Sequence, residues 1–473
     1  MQKIVSFEIE RQDGPGRLGR IFAGEFLFTT PCLAKSSRIH LKYTPARESS
    51  SLPIDFSKPD IRITTLPSWQ FLGINPEEDP SSAIQKLRKL IEGPKNAIQF
   101  LQLPQDAAQL DTQDKSPFKM LNSAVQDELS KEYPLVYAQP LNWQYNHRNN
   151  QKKSSNALFS LYNISQFLRR PSHLIENLIG IHSATNQRNI LYAPSVPPYY
   201  FPLLSYLGID IFDASFAVLA SAQNRFLLDD GLFLAEKPIP NCSCRACYNS
   251  KNNDLSSTLS KHNLAVTENQ INRCHWAIRE GKLWDLVRRT AADIPEILAA
   301  MRILKQYYSF LEDHSPIIKP HQLVSTTQED LWRPEVARYR QRIRERYMPP
   351  SNAGLCVILP CSAKKPYSLS KSHQQFSKIL KPFRRKANLI ELMLTSPLGV
   401  VPRTLERVYP AASYDIPVTG DWSYEEQIMI RHAFEAIFKK FPIDMPLLIH
   451  LKSIERMILQ EAFQDSKRSV FFS

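Results

Sequence analysis

Three cysteines crowd one short segment, Cys242-Ser-Cys244-Arg-Ala-Cys247, and His262 follows. Thiolate and imidazole are the ligand types zinc prefers. Three sulfurs and one ring nitrogen make a closed tetrahedral set with no position left for water, so the expected ion is structural, not catalytic. Such an ion holds together a local fold too small to bury a core by itself. His275, beside Cys274, is an alternative fourth ligand. A second chemical segment is Leu359-Pro360-Cys361-Ser362-Ala363-Lys364-Lys365-Pro366-Tyr367. A helix start after this loop and two lysines within it would both favour thiolate over thiol. His373, in the first turn of that helix, is placed to act as base or acid, which makes Cys361 a candidate nucleophile. The other reading is a small buried hydrophobe with Lys364 and Lys365 gripping phosphate.

Two carboxylates are candidates of a different kind. Asp213 closes Ile209 to Phe212, which reads as a strand. In parallel α/β sheets chemistry sits at the carboxyl ends of strands. Asp213 would either react there or cap the next helix. Asp421 lies in Pro417-Val-Thr-Gly-Asp-Trp-Ser, where Ser423 and Glu426 have the spacing of a capping box. Residues 334–346 carry Arg338, Arg340 and Arg342 among five arginines on one helical repeat. They form either a solvated helix laced with ion pairs or a face that touches phosphate.

These residues need elements to hold them. Val5 to Glu10 alternates like a strand, and Phe26 to Cys32 could be another. Ser81 to Leu90 reads as a capped amphipathic helix. Residues 45–60 and 144–156 read as surface loops. Asn189 to Ala193 is a short apolar run, residues 197–208 a helix closed by Gly208, and Ile209 to Phe212 a strand. That alternation predicts a parallel α/β sheet or barrel. Residues 265–312 have helical periodicity. From Gly354 a second α/β unit begins. It has strands near 355–359, 388–394 and 446–451, and helices near 370–380 and 424–440.

A chain of 473 residues predicts two or three domains. Hydrophobic residues make up 43% and charged residues 22%, which excludes wholesale disorder. No run approaches a membrane span, and the opening MQKIVSFEIERQDG lacks the apolar core of a secretory signal, so a cytoplasmic protein is expected. A net charge of +13 favours a polyanionic partner, nucleic acid first. Seven cysteines, three of them clustered, suit a metal site in a reducing compartment better than a disulfide framework.

CSCRAC followed by HNL resembles the zinc motif of the tRNA-guanine transglycosylases. GIDIFDAS at 208–215 resembles the segment in which that family keeps its nucleophilic aspartate, here Asp213. DGPGRLGRI and FTTPCL are similar to its opening hairpin, and residues 192–213 are nearer its archaeal branch. The last segment resembles the archaeosine synthases. Their PC, three residues, KPY, two residues, S, two residues, H signature is present as Pro360, Cys361, Lys365, Pro366, Tyr367, Ser370 and His373. Residues 394–423 are also similar.

The resemblance implies an α/β protein in four parts. These are a (β/α)8-type transglycosylase-like barrel at 1–240, a zinc-binding and helical region at 241–311, a connector with the Arg-rich helix at 312–352, and a smaller α/β catalytic domain at 353–473. It implies a tRNA-modifying enzyme. The substrate would be tRNA carrying 7-cyano-7-deazaguanine in its D-loop, converted to archaeosine or its lysine adduct by amine addition to the nitrile. The donor would be lysine, glutamine or ammonia, and a radical-SAM lyase could cleave a lysine adduct. A homodimer is a further expectation. Cys361, Lys365, His373 and Asp421 would be catalytic. Lys364, Arg338, Arg340 and Arg342 would meet nucleic acid. The transglycosylase DSGGFQ segment is not found, which implies that the barrel does not exchange bases and leaves a catalytic role for Asp213 open. The chain ends at Ser473, and a form lacking the terminal PUA domain is expected. The alternative is a non-catalytic, tRNA-binding paralogue subunit.

Overall fold

The structure, a computed structural model, describes residues 5–23, 26–38, 60–65, 79–91, 97–102, 121, 124–125, 127–129, 131, 135–138, 158–185, 187–235, 242–249, 255–417, 422–463 and 469–473. The loop expected at 144–156, most of that at 45–60, and Asp421 lie outside these residues. The chain divides into two units, Met1–Leu304 and Lys305–Ser473.

In the first unit an antiparallel sheet of Val5–Asp13, Gly16–Ala23 and Phe26–Thr30 opens the chain. Its hairpin turns at Gly14, whose φ of 67° suits a residue without Cβ. Any Cβ there would also clash with the Tyr206 ring. Parallel strands follow: Cys32–Arg38, Asp60–Thr65, Ala97–Gln102, Leu135–Ala138, Leu158–Ser160, Ile190–Ala193 and Ile211–Asp213. Each pairs with the next, and the last pairs back to the first. The mixed α/β class is therefore as expected, with seven strands in the described ring where an eightfold barrel was predicted.

The expected strand, helix, strand run is present. Ile190–Ala193 leads into a short helix at Phe201–Tyr206, then Gly208 at φ 87°, then Ile211–Asp213. Arg17 pairs with Asp210 inside this unit and donates to the Asn189 carbonyl at 2.9 Å, which ties the hairpin to the strand ends. Four helices complete the expected helical stretch: Leu255–Arg279, Leu283–Ala291, Pro295–Leu304 and, in the second unit, Tyr308–His314.

The second unit is built on a five-stranded sheet in the order Gly399–Pro402, Leu389–Thr395, Leu355–Pro360, Leu447–Ile449, Val470–Phe472. All pairs are parallel except that of 399–402 with 389–395. The central strand, LCVILP, is buried over its middle four residues, as a continuous apolar run in a parallel sheet should be. Helices Lys371–Lys386, Tyr424–Phe438 and Ser453–Phe463 make the crossovers. Topology singles out one place. The chain leaves the central strand for 389–395 on one side and later returns to 447–449 on the other. The carboxyl end of Leu355–Pro360 is thus the switch point of the sheet, where open α/β folds leave a crevice.

Candidate functional site

Cys361 follows the central strand directly and lines a cavity of about 450 Å³ at that switch point. Ser396, just beyond the end of strand 389–395, lines it too. So do Lys452, beyond the end of 447–449, and Glu455, in the first turn of the helix that follows. Ser325 to Gln328 form one wall, and Trp422, Ser423 and Glu426 form another. The cysteine also packs partly against the core of this unit, so both sequence readings of Cys361 describe one side of it.

The charge balance at the sulfur differs from expectation. Burial pushes the thiol above its ordinary value of 9.0. The Glu455 charge pushes the same way, while a hydrogen bond to Thr395 and the Lys365 charge favour thiolate. Desolvation therefore outweighs the lysine charge that was expected to favour thiolate. Lys365 is itself held down by burial, and its Nζ sits 4.2 Å from the centre of the Tyr414 ring. Thr395 begins a buried hydroxyl chain. Its Oγ1 lies 2.6 Å from the Tyr414 hydroxyl, which hydrogen-bonds Tyr367 in turn. Lys364 is exposed.

His373 is fixed rather than free. Ser370 caps its helix by accepting from the His373 N–H at 3.2 Å. The ring is 1% exposed, with Nε2 3.0 Å from the Pro360 carbonyl and Nδ1 2.7 Å from an Arg403 nitrogen. Arg403 can only donate, so Nδ1 accepts and Nε2–H donates to the carbonyl that precedes Cys361. Burial and the Arg403 charge pull its pKa down to about 4. This geometry anchors the peptide leading into the cysteine. A proton shuttle, as the sequence predicted, would need those two bonds to break.

Asp213 also sits at a strand end, but both of its oxygens are engaged. Oδ2 accepts from the Tyr192 hydroxyl at 2.5 Å, and Oδ1 accepts from the Ser195 and Ser215 N–H groups at 3.0 Å. The Ser215 bond is the helix-start role weighed for it above. In the Arg-rich helix, Pro334–Arg346, Arg338 is 5% exposed and donates to Glu312, Ser315 and Pro316. Arg340 donates to the Pro397 carbonyl at 2.8 Å and the Leu331 carbonyl at 2.6 Å. Those two side chains hold the unit together instead of facing solvent. Arg342 is half-buried.

The cysteine cluster assembles as expected. Cys242, Cys244, Cys247 and His262 place one ligand atom each within 4.8 Å of all the others. His262 Nδ1 stands 3.5, 3.4 and 3.4 Å from the three sulfurs. A tetrahedral zinc with bonds of about 2.3 Å to sulfur and about 2.0 Å to nitrogen needs edges of about 3.5 Å, so the donor set fits the ion. The second shell fits too. His262 Nε2–H donates to the Leu227 carbonyl at 2.9 Å, which leaves Nδ1 as the ligand atom. His275 turns instead toward the Thr29 and Pro31 carbonyls and is not in the cluster.

The sequence reading missed Ser396, Lys452, Glu455 and the wall at 325–328. It had placed the strands that precede the first three. The available signal was the strand-end rule, applied to Cys361 but not to its neighbours.

Comparison with known proteins adds a second line. The queuine tRNA-ribosyltransferase family profile matches residues 195–296, and a domain of unknown function (DUF5591) matches 336–473. Archaeosine synthase subunit alpha of Methanosarcina acetivorans is 36% identical over 279 residues, 56% of this chain and 44% of that protein. Archaeosine synthase of Haloferax volcanii is 35% identical over 235 residues, 49% of this chain and 39% of that protein. The tRNA-guanine(15) transglycosylase of Methanocaldococcus jannaschii is 32% identical over 259 residues, 51% of this chain and 36% of that protein. The chain thus spans less than half the length of these relatives. Among the described residues no helix is long and apolar enough to cross a membrane.

Proposed function

We propose, from the premise that this chain is a homologue of the archaeosine synthases, that it modifies tRNA by adding an amine to the nitrile of 7-cyano-7-deazaguanine. The observation that carries this is Cys361 at the switch point of the second sheet, lining a cavity of about 450 Å³. That volume is within the roughly 300–1,000 Å³ of small-molecule sites. A nitrile carbon is electrophilic but slow, and sulfur is a strong nucleophile toward it. The thiol adds across the C≡N bond: sulfur bonds to carbon and the proton ends on nitrogen, giving a thioimidate. The amine then adds to that carbon, the C–S bond breaks, and the thiol regains a proton. An amidine remains.

Lys365, close to the sulfur, steadies negative charge as it develops. His373 positions the Pro360–Cys361 peptide through its bond to the Pro360 carbonyl. Lys364, exposed beside the site, meets phosphate. Where lysine is the donor, a separate lyase of the radical-SAM class would release archaeosine. Zinc is the ion of the cysteine cluster, and its part is structural. The four-part division of the chain belongs to the same reading. Support for it comes from the family similarity and from the cavity around the cysteine.

The other reading is a tRNA-binding subunit without catalysis. The fully bonded Asp213 is consistent with it for the first unit. Cyano-tRNA incubated with the protein and lysine, glutamine or ammonia, then digested and analysed by nucleoside mass spectrometry, separates the two. The enzyme yields a new amidine nucleoside with one of the donors, whereas the subunit yields none. For the metal, the protein as purified is expected to hold about one zinc per chain. Cys247→Ser should lose it and lower the stability of the first unit, as read by metal analysis and thermal unfolding.

A further inference from the structure

The nitrile chemistry proposed above leaves one question: which group carries the proton. His373 has both ring nitrogens engaged. Two carboxylates line the cavity with Cys361, those of Glu426 and Glu455. Glu426 is occupied. One of its oxygens accepts from the Ser396 hydroxyl, and the other accepts from the Ser423 N–H at 2.7 Å in the capping box of its helix. Glu455, in the first turn of helix Ser453–Phe463, instead accepts from the Lys452 N–H at 3.2 Å with one oxygen, which fixes the carboxylate at the start of that helix. We propose that Glu455 is the proton partner of Cys361, taking the thiol proton as sulfur attacks and delivering it to the nitrile nitrogen.

The bonds balance. The S–H proton passes to the carboxylate while the C–S bond forms. The π pair moves onto nitrogen, which takes the proton from the carboxylic acid. Glu455 returns to carboxylate and the product is a neutral thioimidate. In the second half it accepts a proton from the attacking amine, and the departing sulfur takes that proton back. The surroundings suit the exchange. Burial raises both the Cys361 thiol and the Glu455 carboxyl above their ordinary values, so each holds a proton at higher pH than a solvated group would. The other titratable groups around the pair are Tyr367, Tyr414 and Lys365 near the sulfur, Lys452 just before the Glu455 helix, and Glu426 on helix Tyr424–Phe438.

The test uses the full chain and needs no RNA. A small aryl nitrile, 2-cyanopyrimidine, probes the reaction that requires proton delivery. Iodoacetamide probes sulfur attack that does not. Site-resolved mass spectrometry follows Cys361 in both. With Glu455→Gln, nitrile addition should fall about 10²-fold. Iodoacetamide labelling at pH 7, which needs the thiol proton removed but none delivered to nitrogen, should fall by less, because water can take that proton. Glu455→Asp should recover part of the nitrile rate. The proposal is overturned if Glu455→Gln adds the nitrile at the wild-type rate. It is also overturned if both reactions fall equally, or if wild-type Cys361 ignores the nitrile. Should the Glu455-dependent adduct form while cyano-tRNA stays unmodified, the pairing stands and the tRNA reading fails.

Discussion

Asp213 and Cys361 occupy matching places, each at the carboxyl end of a parallel strand, one in each unit. Their surroundings are opposite. Three donors converge on Asp213, one hydroxyl and two backbone N–H groups, and satisfy both its oxygens. Cys361 is reached only partly by its neighbours and faces open volume. A strand end therefore offers a place for chemistry without guaranteeing it. What decides is whether the surrounding polar groups are turned onto the side chain or leave it room for a ligand.

The contrast breaks first at Cys361. Cys361→Ala should reduce amidine formation on cyano-tRNA by on the order of 10³-fold or more, measured by nucleoside mass spectrometry. A variant that modifies cyano-tRNA at the normal rate would end the covalent role. Next comes the wall of the cavity. Glu335 is 2% exposed and pairs with Lys319 and with Arg333, which in turn donates to the Val324 carbonyl at 2.9 Å. Those cations hold the Glu335 carboxyl far below the ordinary carboxylate range. Glu335→Gln strands buried positive charge and should cost about 3–5 kcal/mol in denaturant unfolding.

Asp213→Asn sharpens the comparison from the other side. An amide cannot accept at both positions, so one donor is left facing an NH2 group. The expected cost is about 1–3 kcal/mol of stability, with turnover on cyano-tRNA unchanged. A large loss of turnover without loss of stability would make Asp213 a working carboxylate after all. The smallest effect concerns His373. Its folded pKa, about 4, lies below the ordinary 6.5, so the folded state resists protonation. The stability it contributes is complete above 6.5 and is lost as pH falls toward 4. The unfolding temperature of the protein should drop as pH falls through that window. His373→Gln should flatten that slope, and an unchanged slope would count against the buried neutral ring.

Much of this was legible beforehand, for local reasons. The zinc cluster needs only a short loop and one helical histidine, so spacing nearly defines it. The strands at 355–360, 389–395 and 447–449 are continuous apolar runs, and parallel sheets demand them. Short edge strands at 399–402 and 470–472 carry no such signal, because pairing with a neighbour makes them strands. Arg338 shows the limit most clearly. On a helical repeat of arginines it reads as solvated or phosphate-binding, yet carbonyls from residues 312–316 close around it. No local pattern announces a distant carbonyl.

The amino-acid order by itself settled which side chains could ligate a metal, which sulfur follows a buried strand, and which broad class of sheet each half would form. Those depend on residue type and on periods of two or three to four residues. Only the tertiary structure decided that His373 is bonded on both ring nitrogens, that burial raises the thiol against its lysine, and that Glu455 shares the cysteine's cavity. Electrostatic free energy depends on distance and desolvation, and neither exists until remote segments pack together.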